Sequence, residues 1–324
     1  MSLMTDTSLT YLIHLLKKMG CVCFKPSIEI DGVTYKVIRQ IAEGGFSTVE
    51  LIENSRTGKK YAMKKITCHS VEDQNLATKE VELTRSFDHP NIMRVIASSS
   101  KGAPDIVHNT TSTVMIVFPL YSRGSLHDEL ERRQLSSSPL LEQTLLSIFS
   151  AICSAIKMLH SSNPPIAHRD IKPHNILLDK DLSPVLMDFG SATPARVTIN
   201  NLREAQYLQD TAAERCSMCY RPPELFQVSS NCTLDERTDI WSLGCLLYAM
   251  MYYQSPYDPV YERGDSVALA VQAGGFNFPT NPVYSEHLIQ LVREMTNQDM
   301  SFRPQIDSVI EKVEILKEQS NGKL

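Results

Sequence analysis

The sequence places carboxylate, amide and ammonium side chains at close spacing in two neighbouring stretches. AHRDIKPHNILL contains Asp170, Lys172 and Asn175, and VLMDFGSA contains Asp188. Such a set suits a site for clustered phosphate charge, because lysine neutralises phosphate oxygens and Mg²⁺ prefers carboxylate and amide oxygens. A lone Asp or Asn is more often an exposed surface residue, but the four together predict a phosphate-handling site.

Four motifs occur in the order of the protein-kinase signature set, which this sequence resembles. They are YAMK, similar to V-A-I-K, then HRDIKPHN, DFG, and YRPPEL as a variant of APE. The resemblance implies ATP and Mg²⁺ as cofactors, with Lys64 on the α- and β-phosphates, Asp188 on one Mg²⁺ and Asn175 on the second. Asp170 would orient the acceptor hydroxyl and take its proton. Lys172 would steady the γ-phosphate, and a lysine there is typical of serine/threonine kinases.

The resemblance also assigns supporting ion pairs. Glu80 is the expected partner of Lys64 because of its spacing to the following HPN motif, with Glu82 as the alternative. Arg303 in SFRP is expected to pair with Glu224 in YRPPEL. Glu80 is expected to orient Lys64, whereas the Arg303–Glu224 pair is expected to support the fold.

Three further residues are assigned to the catalytic loop and the activation segment. Asp239 in DIWSLG is expected to brace the catalytic loop. Ser217 is expected to bridge Asp170 and Lys172, and its hydroxyl is interpreted first as a hydrogen-bonding group and second as a phosphorylation site. Arg169 could receive a phosphate from the activation segment, as in kinases that phosphorylation switches on.

The nucleotide pocket departs from the family pattern in its glycine loop. Against G-x-G-x-x-G-x-V, residues 42–49 read AEGGFSTV, so only Gly44 stands at a glycine position of the motif. Backbone N–H groups cradle the phosphates, so small side chains elsewhere in the loop are tolerable. A bulky Phe118 at the gatekeeper position should narrow the space behind adenine. Residues 119–121 are expected along the edge of the adenine ring. The expected nucleotide contacts are Ala42, Gly44, Gly45, Phe46, Ser47, Val49, Ala62, Lys64, Phe118, Pro119, Tyr121, Asn175 and Asp188.

Hydrophobic periodicity predicts an α+β protein with two unequal lobes, the bilobal kinase fold. Alternating apolar residues predict strands within 33–66, helical spacing predicts a helix over 71–87, and a polar run predicts a surface loop over 98–113. Leu141, Leu145, Ile148, Ile152, Ile156 and Leu159 predict one continuous buried helical stripe, and 238–253 predicts a core helix. The predicted divisions are a leader (1–18), an anchor segment and linker (19–32), an N-lobe (33–120), a C-lobe (121–318) and a tail (319–324).

Composition excludes several classes of function. A formal net charge of -5 and a pI near 6.0 argue against nucleic-acid binding. Eight cysteines without a disulfide framework or signal peptide indicate a reducing, cytoplasmic environment. Cys216 and Cys219 form a C-x-x-C, but no second pair completes a zinc site. The apolar run over 9–16 is far short of the roughly 20 residues that span a bilayer.

Stretches beyond the catalytic motifs resemble the Numb-associated kinase family. They include PVLMDFGS, LQDTAAERCSMCYRPPEL, DERTDIWSLGCLLYAMM and GDSVALAVQ, and the resemblance covers residues 20–318. It implies serine and threonine acceptors in proteins, a helical insertion over 201–215 in the activation segment, and autophosphorylation. It also implies association with the Golgi or other membranes.

The MGCVCFKP stretch fits a lipid anchor of that family. Gly20 would carry myristate, and Cys21 or Cys23 would carry palmitate. The chain departs from M-G-x-x-x-[ST] by having Phe24 and Lys25 where Ser or Thr is expected. Myristate requires a free glycine, so Met19 is the expected start, with Met1 as the alternative. Stable anchoring needs two acyl chains, here myristate and palmitate. The stretch therefore predicts a peripheral protein of the Golgi or plasma membrane.

Two other functions compete with an active protein kinase. The altered glycine loop favours a pseudokinase that serves as a membrane scaffold, whereas the intact lysine, aspartates and asparagine oppose it. A kinase for small molecules is opposed by CYRPPEL, which resembles a platform for protein substrates. The sequence predicts no oligomeric state.

Overall fold

The fold is that of a computed structural model, which describes residues 26–44, 47–105, 110–279 and 283–321. By its internal contacts the chain divides into two compact units. The described residues up to 74 and those of 96–120 form the first unit, and residues 75–95 with those from 121 onwards form the second. The predicted α+β class is confirmed, because the first unit is built on a sheet and the second is mainly helical.

A six-stranded antiparallel sheet in the order β1-β2-β3-β4-β6-β5 forms the first unit. One face packs an apolar core around Tyr35, Ile52, Met63 and Val117, as the alternation of apolar residues predicts. The Asp31 carboxylate accepts a hydrogen bond from the Ser98 N–H and so links the β1–β2 turn to β5. The strands are β1 (Ser27–Ile30), β2 (Val33–Glu43), β3 (Ser47–Asn54), β4 (Lys60–Cys68), β5 (Ala97–Lys101) and β6 (Ser112–Pro119).

The loop predicted over 98–113 is wrong at both ends. Residues 98–101 belong to β5, which pairs with β6 in antiparallel register from Ala97 opposite Val117 to Lys101 opposite Thr113, and residues 112–113 belong to β6. Serines join this edge strand because ladder hydrogen bonds come from the backbone and need no apolar side chain. The connecting segment is therefore shorter than the polar composition indicated.

The helix predicted over 71–87 is confirmed as α1 (Val71–Ser86). A reciprocal cap begins it, because the Asp73 N–H donates to Ser70 Oγ and Asp73 Oδ2 accepts from the Ser70 N–H, both at 3.0 Å. Such a box satisfies N–H groups that lack a helical partner. Glu80 lies in the later turns of this helix, in the second unit.

The second unit is built around two buried helices. The helix predicted over 238–253 is confirmed, and every residue between its first and last is buried. The stripe on α3 is also buried except at Leu141, which is 75% exposed because it is the extended N-cap, while Leu140 is 1% exposed. The helices are α2 (Leu126–Leu135), α3 (Glu142–His160), α4 (Leu202–Arg215), α5 (Pro223–Phe226), α6 (Arg237–Tyr252), α7 (Asp258–Glu262), α8 (Val267–Ala273), α9 (Glu286–Met295) and α10 (Ile306–Asn321).

One helix of the described residues, α3, is long and apolar enough to cross a membrane by length and composition. More than half of its apolar window is buried inside the second unit, where α3 packs against α10. This burial is typical of the core helix of a globular domain.

Three pairs of short antiparallel strands hold the loops of the second unit in place. β7 pairs with β10, β8 pairs with β9, and β11 pairs with β12. Because the segments that join them carry the predicted catalytic residues, these ladders position the site. The strands are β7 (Ile166–Ala167), β8 (Ile176–Leu178), β9 (Pro184–Leu186), β10 (Thr193–Pro194), β11 (Val197–Ile199) and β12 (Cys232–Leu234).

Candidate active site

Asp239, on α6, braces the loop that follows β7, as predicted. Its carboxylate accepts hydrogen bonds from the N–H groups of His168 at 2.7 Å and Arg169 at 2.9 Å. His160 Nε2, at the end of α3, lies 3.0 Å from the same carboxylate. Burial by itself raises the pKa of Asp239, but the bonds from His160 and the loop lower it below its ordinary value. The buried group is therefore a carboxylate anchor for the loop.

Three hydrogen-bond donors hold the carboxylate of Asp170, which is almost completely buried. One carboxylate oxygen accepts from the Ser217 N–H at 3.0 Å, and the other accepts from Asn175 Nδ2 at 2.8 Å. Lys172 Nζ lies 2.9 Å from that second oxygen and donates to Ser217 Oγ at 2.6 Å. The predicted Ser217 bridge between Asp170 and Lys172 is confirmed. The side chain of Asp170 is only 10% exposed, so its orientation is fixed.

His168 connects this loop to the segment that contains Asp188. Its Nε2 donates to the Met187 carbonyl at 3.2 Å, and its Nδ1 accepts from the Asp170 N–H at 3.3 Å. Phe189 packs edge-on against the His168 ring, with centroids 5.2 Å apart. One buried imidazole therefore couples the two predicted catalytic segments.

Two non-glycine residues of these segments adopt left-handed backbone conformations. Arg169 has φ +66° and Asp188 has φ +65°. Such conformations cost of order 1–3 kcal/mol each and persist where the surroundings impose them, commonly at functional sites. The bond from the Arg169 N–H to Asp239 is one such constraint.

Glu80 lies near the DFG segment within the second unit. A Cβ on Gly190 would stand 3.5 Å from Glu80 Oε2 and 3.3 Å from Asp188 Oδ1, so both carboxylates lie close to this glycine. Glu80 is half-buried, whereas the alternative, Glu82, is exposed. The geometry favours Glu80 as the functional carboxylate of α1.

The nucleotide-contacting residues predicted in the first unit share one face of its sheet. Ala42 lies opposite Val49, Val49 opposite Lys64, and Ala62 opposite Phe118. Cross-strand partners point to the same face, and residues two apart on a strand do so as well. This face is opposite to the one that carries Met63 and the apolar core. The six predicted residues on it are Ala42, Ser47, Val49, Ala62, Lys64 and Phe118.

Other predicted contacts of this group take the following positions. The Gly44 N–H donates to the Ser47 carbonyl at 2.7 Å and so helps to close the β2–β3 connection. Pro119 pairs with Tyr61 at the end of β6, and Tyr121 is half-buried at the start of the second unit. The predicted residues Gly45, Phe46, Gly20, Cys21 and Cys23 lie outside the described residues.

The activation segment, residues 188–224, is fixed by several internal contacts. The predicted helix over 201–215 is confirmed as α4, which Asn201 caps by accepting from the Glu204 N–H at 3.0 Å. At the other end, Ser191 Oγ donates to the Arg215 carbonyl at 2.8 Å. Arg221 donates to the Cys216 carbonyl at 2.8 Å. These contacts satisfy carbonyls that a helix C-terminus leaves without partners.

Sequence reasoning missed the roles of Ser191 and Arg221. Arg221 stands inside the YRPPEL motif, but nothing in the motif shows that its guanidinium turns back to α4. The nearby Arg169 is buried, and its Nε and Nη2 have no hydrogen-bond partner within the described part of the chain.

Burial raises the pKa of Cys216 to about 11 and that of Cys219 to about 12, so both thiols are protonated at neutral pH. Protonated thiols are poor metal ligands.

The Arg303–Glu224 pair is confirmed. Two parallel bonds of 2.7 and 2.8 Å join the guanidinium to the carboxylate. The Arg303 side chain is fully buried and its guanidinium lies over the Trp241 ring, 5.0 Å from the centroid. The pair therefore ties the end of the activation segment to the core of the second unit.

Comparison with known proteins is consistent with this arrangement. The family model described as "Protein kinase domain" matches residues 35–313. The chain is a protein kinase. Serine/threonine-protein kinase 16 of Rattus norvegicus is 42% identical over 302 residues, which cover 93% of this kinase and 96% of the relative. The Homo sapiens protein of the same name is 41% identical with the same coverage. Serine/threonine-protein kinase ENV7 of Saccharomyces cerevisiae is 30% identical, covering 86% of this kinase and 90% of the relative.

Proposed function

We propose that this kinase transfers the γ-phosphate of ATP to serine and threonine hydroxyls of protein substrates. The observation that carries the proposal is the Asp170 carboxylate, which Ser217, Asn175 and Lys172 hold in one orientation. Asp170 accepts the hydrogen bond of the acceptor hydroxyl and then its proton, as the hydroxyl oxygen attacks the γ-phosphorus and the bond from that phosphorus to the bridging oxygen breaks, which releases ADP. The relatives named above are all called serine/threonine kinases, which supports these acceptors.

The donor atoms of the second unit fit a magnesium-nucleotide. Asn175 uses Nδ2 in two bonds to Asp170, which leaves Oδ1 as its ligand atom. Asn175 Oδ1 and the Asp188 carboxylate are the oxygen donors that would hold Mg²⁺. Bound Mg²⁺ neutralises charge on the transferring phosphate. Lys172, beside Asp170, orients the γ-phosphate, and Lys64 holds the α- and β-phosphates.

Phosphate transfer from ³²P-labelled ATP to peptides that differ only in a Ser, Thr or Tyr acceptor tests this function. We expect label on Ser and Thr, and its loss in Lys64→Met, with Lys65→Met, its neighbour on β4, as the matched control. ATP binding by the wild type without transfer to any acceptor would favour the scaffold alternative. Label on a small-molecule acceptor in preference to protein would favour the third function.

We propose, second, that the activation segment is held active by its own contacts and not by phosphorylation. The Ser191 and Arg221 bonds to the end of α4 support this. Two nitrogens of buried Arg169 have no hydrogen-bond partner among the described residues, which supports the opposite, a phosphate received from this segment. The activity of the kinase after phosphatase treatment and removal of the phosphatase distinguishes these two possibilities. We expect the activity to be retained. A loss of activity that autophosphorylation restores would show that Arg169 needs a phosphate.

We propose, third, that this kinase belongs to the Numb-associated family and is anchored to Golgi or plasma membrane by lipids. GDSVALAVQ and the helical insertion α4 support the subfamily, and MGCVCFKP supports the anchor. Intact mass of the native protein tests it, because myristate on Gly20 requires a chain that begins after Met19. We expect Gly20→Ala to abolish the presence of the kinase in the membrane fraction. The double substitution Cys21→Ser with Cys23→Ser should weaken it, since a single acyl chain binds membranes only marginally. A membrane-bound chain that begins at Met1 without lipid would contradict the anchor.

A further inference from the structure

Three arginines on and beside α2 converge on one buried carboxylate, that of Glu129. Arg123 Nη2 lies 2.9 Å from this carboxylate. Arg132 Nη1 lies 2.6 Å from it and Arg133 Nε 2.7 Å. Burial by itself raises the pKa of Glu129, but the bonds from Arg133 and Arg123 lower it below its ordinary value, so the group is ionised at neutral pH. This arginine cluster (Arg123, Arg132 and Arg133) therefore carries three positive charges against one negative charge, an excess of two.

The arginine cluster keeps N–H donors that Glu129 does not use. A guanidinium has five of them. Arg123 donates to Glu129 from Nε and Nη2, and Arg133 uses Nε on Glu129 and Nη1 on a carbonyl. Arg123 Nη1 and Arg133 Nη2 have no hydrogen-bond partner among the residues that the structure describes. Because Arg132 is exposed and the other two are half-buried, an anion at the surface can reach all three.

An exposed turn of three serines, residues 136–138, follows α2 directly. Ser136 Oγ donates to the Arg132 carbonyl at 2.9 Å, so this hydroxyl already caps the helix. Ser138 is held against Arg133 by two bonds. Its N–H donates to the Arg133 carbonyl at 2.9 Å, and its own carbonyl accepts from Arg133 Nη1 at 3.3 Å. Ser138 is therefore the serine of this turn that lies beside a guanidinium of the cluster.

We propose that Ser138 is a phosphorylation site and that the arginine cluster receives its phosphate. Phosphoserine carries about −1.5 to −2 charges at pH 7, which matches the excess of two positive charges, and it forms charge-assisted bonds opposite arginines. In the transfer, Ser138 Oγ bonds the γ-phosphorus of ATP, and the bond from that phosphorus to the bridging oxygen breaks. ADP leaves, and the hydroxyl proton passes to the catalytic carboxylate of the protein kinase that acts.

The position after a helix is compatible with this phosphate. A helix C-terminus repels anions, because its last carbonyls carry partial negative charge. Here the carbonyls of Arg132, Arg133 and Gln134 already accept hydrogen bonds. Their donors are the N–H groups of Ser136, Ser138 and Ser137, at 2.9–3.1 Å. The full charges of the arginine cluster therefore dominate at Ser138.

Phosphoserine incorporated at position 138 during translation tests the receiving site without any kinase activity. At low salt we expect thermal unfolding to shift upwards by about 2–4 °C relative to the unmodified chain. The shift should shrink at about 1 M salt, where charges are screened. It should also shrink in Arg133→Gln and in Arg132→Gln, each compared with its own unmodified form, but persist in the exposed control Arg263→Gln.

The comparison within each variant removes any effect of the substitution on folding itself. Phosphoserine at the exposed Ser230 is the control for a phosphate elsewhere on the surface, and we expect no upward shift from it. No shift from phosphoserine at 138 would overturn the proposal. An equal shift from position 230, or an undiminished shift in both arginine variants, would overturn it as well.

Peptide mapping tests the modification, on the native protein and on the dephosphorylated kinase after incubation with ATP and Mg²⁺. We expect phosphate on Ser138, absent from Ser138→Ala and retained in Ser137→Ala. Phosphate added by the purified kinase assigns the transfer to another copy of this chain, whereas phosphate on the native protein alone assigns it to a different kinase. Unmodified Ser138 in both samples would overturn the site, and transfer to substrate peptides in the same assay would leave the proposed function intact.

Discussion

Replacing Asp239 by Asn should destabilise the kinase and reduce its activity. The carboxylate accepts from two backbone N–H groups, those of His168 and Arg169, and contacts His160. The Asn amide has one acceptor oxygen where the carboxylate has two. Its NH₂ group must therefore face at least one of the buried backbone N–H groups. A buried donor without a partner costs about 1–3 kcal/mol, and loss of charge weakens the remaining bonds, which gives about 2–4 kcal/mol in total. Displacement of the Arg169 N–H also moves the adjacent Asp170, so kcat should fall.

Chemical denaturation at several pH values, with Asp181→Asn as an exposed control, measures the effect. The pKa of Asp239 is lower in the folded chain than its unfolded value of about 3.9. Its stabilising contribution is therefore fully present above about pH 4 and is lost as the pH falls through the folded pKa. The difference between wild type and Asp239→Asn should be constant near neutral pH and shrink below pH 4 or so. An unchanged free energy of unfolding at neutral pH would refute the anchoring role of this carboxylate.

Three further substitutions probe the supports of the site. Arg303→Ala removes the fully buried guanidinium and leaves the partly buried carboxylate of Glu224 unpaired, which should cost about 3–5 kcal/mol by denaturant unfolding; an unchanged midpoint would contradict this. Arg221→Leu removes the hydrogen bonds to the end of α4 and should lower kcat about tenfold with little change in Tm, whereas wild-type kcat would show that these bonds are dispensable. Gly244→Ala places a Cβ 2.7 Å from Thr296 Cγ2, so overpacking should cost about 1–3 kcal/mol in thermal unfolding; wild-type stability would contradict the packing.

The elements with strong local signals could be predicted from the sequence. The apolar residues of α6 point in every direction, which is typical of a buried helix, and its burial is confirmed. Asp170 and Asn175 were assigned to one site from the sequence, but the bond between their side chains, which the short loop between them allows, was not predicted. Periodicity failed at Leu141, where the chain is extended before α3 and the side chain leaves the buried face.

Contacts that depend on tertiary placement could not be predicted. The serines of β5 carry no strand signal of their own, since the partner strand β6 supplies the pairing. The turn of Arg221 towards α4 and the stacking of His127 on His174 join residues that are distant in sequence. No local pattern encodes these contacts, because each depends on how separate elements pack.

Phosphate transfer by Asp170→Asn, compared with the wild type and with Asp181→Asn, tests the central claim most directly. The Asp170 carboxylate is proposed to accept the proton of the acceptor hydroxyl, and such proton transfer contributes about a hundredfold to ten-thousandfold to the rate. We therefore expect kcat to fall by that factor in Asp170→Asn, while ATP affinity stays close to the wild type and the control is unaffected. Equal rates for Asp170→Asn and the wild type would contradict the account.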